Sequence, residues 1–203
     1  MKKIYLILFA IATLSACKKD NTDKACISQT TAIPQVSTAD NTTALALLQS
    51  NNISSANLVV YNANFNYTLN GSDSKYSSLY ASQVFNGLPL LLGDMNYQFQ
   101  DGVLQSTNGI RVNSISLDTK STQKLPALRN FYLAEVINKQ GYTNTFKDSC
   151  LVVQFGYFNI GDTPTPDIVK AWKVKPAHSN FPSAIFRDDN GNTLNFESGF
   201  VFF

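Results

Sequence analysis

The segment from Phe85 to Gly109 constrains the fold more than any other part of the sequence. Asn86-Gly87, Asp101-Gly102 and Asn108-Gly109 are dipeptides that accept the positive φ of tight hairpin turns. Before the second of them, Met95, Tyr97 and Phe99 alternate with Asn96, Gln98 and Gln100. That period of 2 marks a strand with one dry and one wet face. Leu88 to Leu92 is an apolar run, and Gly93-Asp94 turns or bulges the chain after it. Such a meander needs further strands to pair with and another layer to cover its dry face.

The flanking sequence supplies both. Upstream, Asn41 or Thr42 is placed to cap a short helix whose apolar face is Ala44, Leu45, Leu47 and Leu48, and Asn51-Asn52 ends it. Val59, Tyr61, Ala63, Phe65, Tyr67 and Leu69 then alternate with Val60, Asn62, Asn64, Asn66 and Thr68, which predicts a half-buried strand over eleven residues with the first set on one face. Asn70-Gly71 turns the chain into a second strand from about Tyr76 to Phe85. Downstream, Ile115 and Leu117 lead to a second helix over about Leu125 to Lys139. Pro126 suits its first turn and Gly141 its C-terminal stop. Leu151, Val153, Phe155 and Tyr157 alternate as the next strand, and Pro164 and Pro166 break the chain. A strand from Ile168 to Lys175 carries the only tryptophan, Trp172. Ala184–Phe186 and Thr193–Phe196 flank the turn Asp188-Asp189-Asn190-Gly191. Phe200 to Phe203 is apolar on both faces, so it is either covered or a sticky edge. Helix then strands, twice over, predicts an α+β fold in two parts, residues 41–112 and 113–203.

The N-terminus has a different chemistry. Lys2 and Lys3 precede an apolar run from Ile4 to Leu14, and Leu14-Ser15-Ala16-Cys17 reads as a cleavage site. The run is shorter than the ~20 residues a spanning helix needs. A cysteine after Leu-Ser-Ala resembles the lipobox of bacterial lipoproteins, which implies removal of residues 1–16 and acylation of Cys17. The membrane would then be reached through a lipid anchor. Residues 17–40 are polar, rich in Ser and Thr and without periodicity, and read as the lipidated cysteine with a flexible tether. Lys18-Lys19-Asp20 is either a solvated spacer or similar to the charged export signal of surface lipoproteins in the Bacteroidetes. The expected location is extracytoplasmic, on the outer membrane.

Charge excludes one class of partner. The chain has 16 basic and 14 acidic residues, and losing Lys2 and Lys3 leaves 14 of each. No basic stripe with interleaved aromatics appears, so no nucleic-acid partner is expected. Catalytic chemistry is equally sparse. His178 is the only histidine, in the loop Pro176 to Asn180, and no zinc-ligand spacing surrounds it. A Cys150–His178 nucleophile pair is the one catalytic arrangement to set against an exposed loop histidine. Asp188-Asp189-Asn190-Gly191 lacks the ligand spacing of a calcium loop and reads as a hairpin turn. Asp94 and Asp101 give no reason to form a catalytic pair. No enzyme activity, cofactor, metal or small-molecule substrate is expected. Cys26 and Cys150 are either a disulfide, which persists outside the cytoplasm, or two free thiols.

Several stretches share their order with a known family. Gln83-Val84-Phe85-Asn86-Gly87-Leu88-Pro89-Leu90 resembles a strand pair of thermolysin-type metalloprotease propeptides. The glycines at Gly93, Gly102 and Gly109 are spaced as in the FTP subdomain of that family. Ile115-Ser116-Leu117-Asp118-Thr119 and Ala171-Trp172-Lys173-Val174 are similar to parts of the PepSY subdomain that follows it. Asp188-Asp189-Asn190-Gly191-Asn192-Thr193-Leu194 resembles its last hairpin. The resemblance implies two cystatin-like halves, each a curled antiparallel sheet around a helix, and a role in binding or inhibiting a protease. The family's precursors continue into a catalytic domain with H-E-x-x-H, whereas this sequence ends at Phe203. A stand-alone module acting on an extracytoplasmic protease in trans is therefore expected. The alternative is a structural or assembly accessory of an envelope or secretion complex.

Overall fold

The computed structural model describes residues 26–69, 71, 73–141, 149–161 and 166–199. The leader, Cys17, Lys18-Lys19-Asp20, Asn70, Pro164 and Phe200–Phe203 lie outside the described residues. In chain order the elements are β1 (Ile27–Thr30), α1 (Thr38–Ser50), β2 (Leu58–Tyr67), β3 (Tyr76–Phe85), β4 (Leu88–Pro89), β5 (Met95–Gln100) and β6 (Val103–Asn108). They continue with α2 (Leu125–Gln140), β7 (Leu151–Asn159), β8 (Ile168–Pro176), β9 (Ser183–Arg187) and β10 (Thr193–Glu197). One sheet runs β2-β3-β5-β6, with β4 paired to β3 off that path. The other runs β1-β7-β8-β9-β10. The fold is α+β.

Each sheet buries one face against one helix. Ala44 and Leu48 of α1 pack on Val60, Leu79, Ala81, Met95, Tyr97 and Phe99. Leu128, Tyr132 and Val136 of α2 pack on a second cluster that includes Val153, Phe155, Trp172 and Phe186. The alternation read for β5 holds, with Met95, Tyr97 and Phe99 buried and Asn96, Gln98 and Gln100 half-buried. α2 also begins where its proline predicts and ends at Gly141 in the left-handed region, whose N–H bonds to the Ile137 carbonyl.

Three local expectations change. The cap of α1 is Ser37, not Asn41 or Thr42. Ser37 Oγ accepts from the Asp40 N–H at 3.2 Å and donates to Asp40 Oδ2 at 2.7 Å, satisfying a donor of the first turn. Thr42 and Thr43 instead lie inside the helix and donate their hydroxyls to the carbonyls of Thr38 and Ala39. In β2, Val60 is buried although the alternation set it on the wet face. The register with β3 shifts between Val60 and Asn62, and this extra residue puts Val60, Ala63 and Phe65 on the same side.

The third change concerns residues 17–40. The tether does not extend to Asp40, because residues from Cys26 onward are part of the body. β1 lies parallel to β7 at the edge of the second sheet, with Ile27 opposite Leu151. Beyond it, Val36 N–H bonds to the Val60 carbonyl of the first sheet at 3.0 Å, and α1 follows. The segment thus straps both sheets, and the second sheet takes a strand that precedes the first in sequence. Division at residue 112 therefore does not separate the sheets. Cys26 and Cys150 form a disulfide at the start of this strap, 124 residues apart with Cα atoms separated by 4.5 Å. Closing so long a loop restricts the unfolded chain and is worth about 2–4 kcal/mol.

Candidate functional site

The two sheets meet at a junction built around one buried amide. Gln83 points to the dry side of β3 between Ala81 and Phe85 and is fully buried. Its Nε2 donates to the carbonyls of Gly93 and Ile110, both at 2.8 Å, and its Oε1 accepts from Val112 N–H at 2.8 Å. One side chain thereby satisfies three backbone groups from two irregular segments, which have no sheet to bond to here. The loop Leu90–Gly93 is held from the other side as well. Leu91 N–H bonds to the Tyr157 carbonyl at 2.7 Å, and the Leu91 side chain packs on Ala171 and Ile185 of the second sheet. Gly156 makes that approach possible, since a Cβ there would stand 2.4 Å from the Pro89 carbonyl oxygen.

A cavity of about 330 Å³ opens over this junction, with Leu90, Leu91, Val112 and Phe158 among its apolar walls and Asp94 and Asn159 among its polar groups. Its rim is apolar and exposed. Leu92 has φ 57° and remains 47% exposed, and Ile110 is 46% exposed. Ile160, beside Asn159 of the wall, is also exposed. A β-region backbone would cost a leucine less than the left-handed one. The Gly93 N–H to Leu90 carbonyl bond closes the turn that holds Leu92 in this conformation. Clustered apolar groups around a concavity mark an interaction site rather than scattered surface leucines.

A second buried polar group holds the segment that links the two sheets. Asp188 is 1% exposed and accepts from Trp172 Nε1 at 2.8 Å, from the Thr122 N–H and from the Gln123 N–H. Gln83 therefore grips the start of the linker and Asp188 its end, just before α2. Between them Ile115 and Leu117 cover Phe85, Leu90, Val112 and Tyr157, and the Tyr157 hydroxyl donates to the Leu117 carbonyl.

The residues considered for chemistry are placed apart. Cys150 is tied to Cys26 and is no free nucleophile, and His178 sits exposed in its loop. In the 188–191 turn the Asp188 carboxylate points inward, Asp189 pairs with Arg187 at 3.1 Å, and Asn190 Oδ1 accepts from Asn192 N–H. Asp94 accepts from Ser82 Oγ at 2.8 Å and from the Tyr61 hydroxyl at 3.0 Å, and Asp101 accepts from Lys75 N–H. Among the described residues no three His, Cys, Asp or Glu side chains are grouped as metal ligands, and no helix is long and apolar enough to cross a membrane. Burial pushes the Tyr61 phenol up to about 12, with the Asp94 charge and hydrogen bond adding to it. Burial likewise raises Tyr97, against the opposing pull of the Arg111 guanidinium.

Sequence reasoning did not single out Gln83 or Asp188 as side chains with a task of their own. The available signal was parity: Gln83 falls at an inward position of a strand, where an amide has to be satisfied. No protein-family model matches the chain, and no curated protein does.

Proposed function

We propose that the chain is a non-enzymatic binding module, held at the outer face of the cell envelope by a lipid on Cys17, that grips an extracytoplasmic protease at the junction cleft. The observation that carries this reading is the exposed Leu92–Ile110 rim over an apolar cavity, held in place by Gln83 beneath it. An apolar rim with anchored backbone receives side chains of a protein partner and offers no reacting group. The propeptide-like order of motifs supports a protease as that partner, and the binding of Cys150 into a disulfide removes the one nucleophile pair weighed against it.

The test combines two charge insertions, Leu92→Asp and Ile110→Asp, with inhibition assays against thermolysin and against metalloproteases secreted by the host. Cross-linking on intact cells identifies which of them is held. Wild type should slow or capture a protease, and the double variant should lose at least about tenfold in affinity. If no protease is slowed or captured, the inhibitor reading is wrong. Anchoring is checked separately by mass spectrometry of the Cys17 peptide and by release of a Cys17→Ser chain into the medium.

A further inference from the structure

The face of the first sheet turned away from α1 has a chemistry the cleft does not use. Strands β2, β3, β5 and β6 contain no Asp, Glu, Lys, Arg or His. The register aligns Asn62, Tyr80, Asn96 and Asn108 across all four strands. A neighbouring rank aligns Asn64, Ser78, Gln98 and Ser106 in the same way. Residues directly opposite one another share a face, so both ranks lie opposite to Leu79, Tyr97 and α1. Tyrosines frame them in two pairs. The Tyr61 and Tyr80 rings are 6.4 Å apart, and the Tyr67 and Tyr76 rings 6.0 Å. Tyr76 and Tyr80 sit four positions apart on β3, which separates the pairs by about 13 Å.

Ser78 of these ranks is buried and Gln98 Nε2 donates to Asn96 Oδ1, which leaves the β2 amides as the groups open to a ligand. Asn62 and Asn64 are exposed, and their side chains make no hydrogen bond to another described residue. Asp94 and Asp101 stand at the strand ends, where Tyr61, Ser82 and the Lys75 N–H engage them. A nucleic acid or acidic polymer requires cations that these strands lack. A protein interface core requires large apolar anchors, and the two central ranks hold amides, hydroxyls and one phenol ring. A neutral carbohydrate matches on both counts. Its hydroxyls both donate and accept, as carboxamides do, and the C–H faces of its rings lie flat on tyrosine.

We propose that this face binds a neutral polysaccharide, with Tyr76 and Tyr80 as stacking platforms and Asn62 and Asn64 bonding its hydroxyls. The site is separate from the junction cleft and does not depend on the protease reading. The experiment uses the full chain in a polyoxyethylene detergent, which carries no sugar headgroup. Its mobility is followed in native gels containing xyloglucan, galactomannan, mannan or starch, with polygalacturonate as the acidic control. Retardation is expected in at least one neutral polymer and not in polygalacturonate. Tyr76→Ala with Tyr80→Ala should weaken it by about tenfold or more. Asn64→Lys, an exposed site that leaves the core untouched, should weaken it with no change in melting temperature. Three results overturn the proposal: no retardation in any neutral polymer, retardation that these variants leave unchanged, or a concentration-dependent dimer that Asn64→Lys disperses. The last would place a second copy of this chain on the face.

Discussion

The two sheets solve the same problem with different chemistry. Each must hold an irregular linker against the end of a strand, where no ladder is available to take the backbone groups. The first sheet uses the neutral amide of Gln83, which donates twice and accepts once. The second uses the carboxylate of Asp188, which only accepts and therefore collects an indole N–H and backbone N–H groups. The difference extends outward. The strands of the first sheet carry no charge, while the second carries Lys170, Lys173, Lys175, Arg187 and Glu197 on its strands and a disulfide at its edge. A charge buried among donors is worth more than an amide in the same place, and its loss costs more.

That contrast can be broken at its strongest point first. Asp188→Ala removes the acceptor of the buried Trp172 indole N–H and of the Thr122 and Gln123 N–H groups, and should cost about 3–5 kcal/mol. Thermal unfolding followed by Trp172 fluorescence should show a fall of about 10 °C. Cys26→Ser with Cys150→Ser tests whether the strap needs its covalent link; a loss of about 2–4 kcal/mol is expected in urea, with β1 the first segment to lose amide protection in hydrogen exchange. Gln83→Ala should cost about 2–3 kcal/mol, less than Asp188→Ala. Equal losses at the two positions would erase the distinction between an amide hub and a carboxylate hub. Gly156→Ala pushes a Cβ against the Pro89 carbonyl and should cost about 1–3 kcal/mol, chiefly by loosening the junction loop.

The smallest effect concerns protons. The Tyr61 phenol is raised from 10.0 to about 12 by burial and by Asp94. The folded chain holds that proton more tightly than the unfolded one. Its contribution to stability is thus present below pH 10 and lost as pH rises towards about 12. Phenolate absorbance should show a late phase that Tyr61→Phe removes. Tyr132, on the buried face of α2, is raised still further by burial and donates its hydroxyl to the Pro182 carbonyl. It should titrate only with unfolding, which separates the two sheets by a purely optical readout.

Much of the architecture was legible because it is written in short-range pattern. β3, β5 and α2 follow from alternation, from Asn-Gly and Asp-Gly turns, and from a proline and a glycine at a helix's two ends. β1 was not legible: Ile27-Ser28-Gln29-Thr30 is short and polar, and its partner β7 lies far along the chain. Val60 was set on the wrong face because a bulge depends on the opposing strand, which one strand's own sequence does not display. Of the junction cleft, the apolar run and its turn could be seen, but not that Leu91 reaches the second sheet while Leu92 is left in solvent.

By itself, the sequence determined the α+β class, most strand and helix limits, and the near absence of grouped catalytic side chains in any short stretch. Those properties depend on dihedral preference and periodicity, which act over a few residues. Tertiary structure alone decided that Gln83 and Asp188 become hubs, that Gly156 admits a loop, and that the segment after Cys26 joins both sheets. Each is a meeting of groups tens of residues apart, and the cost of leaving a buried polar group unpaired or a void unfilled selects among such meetings only once the chain is folded.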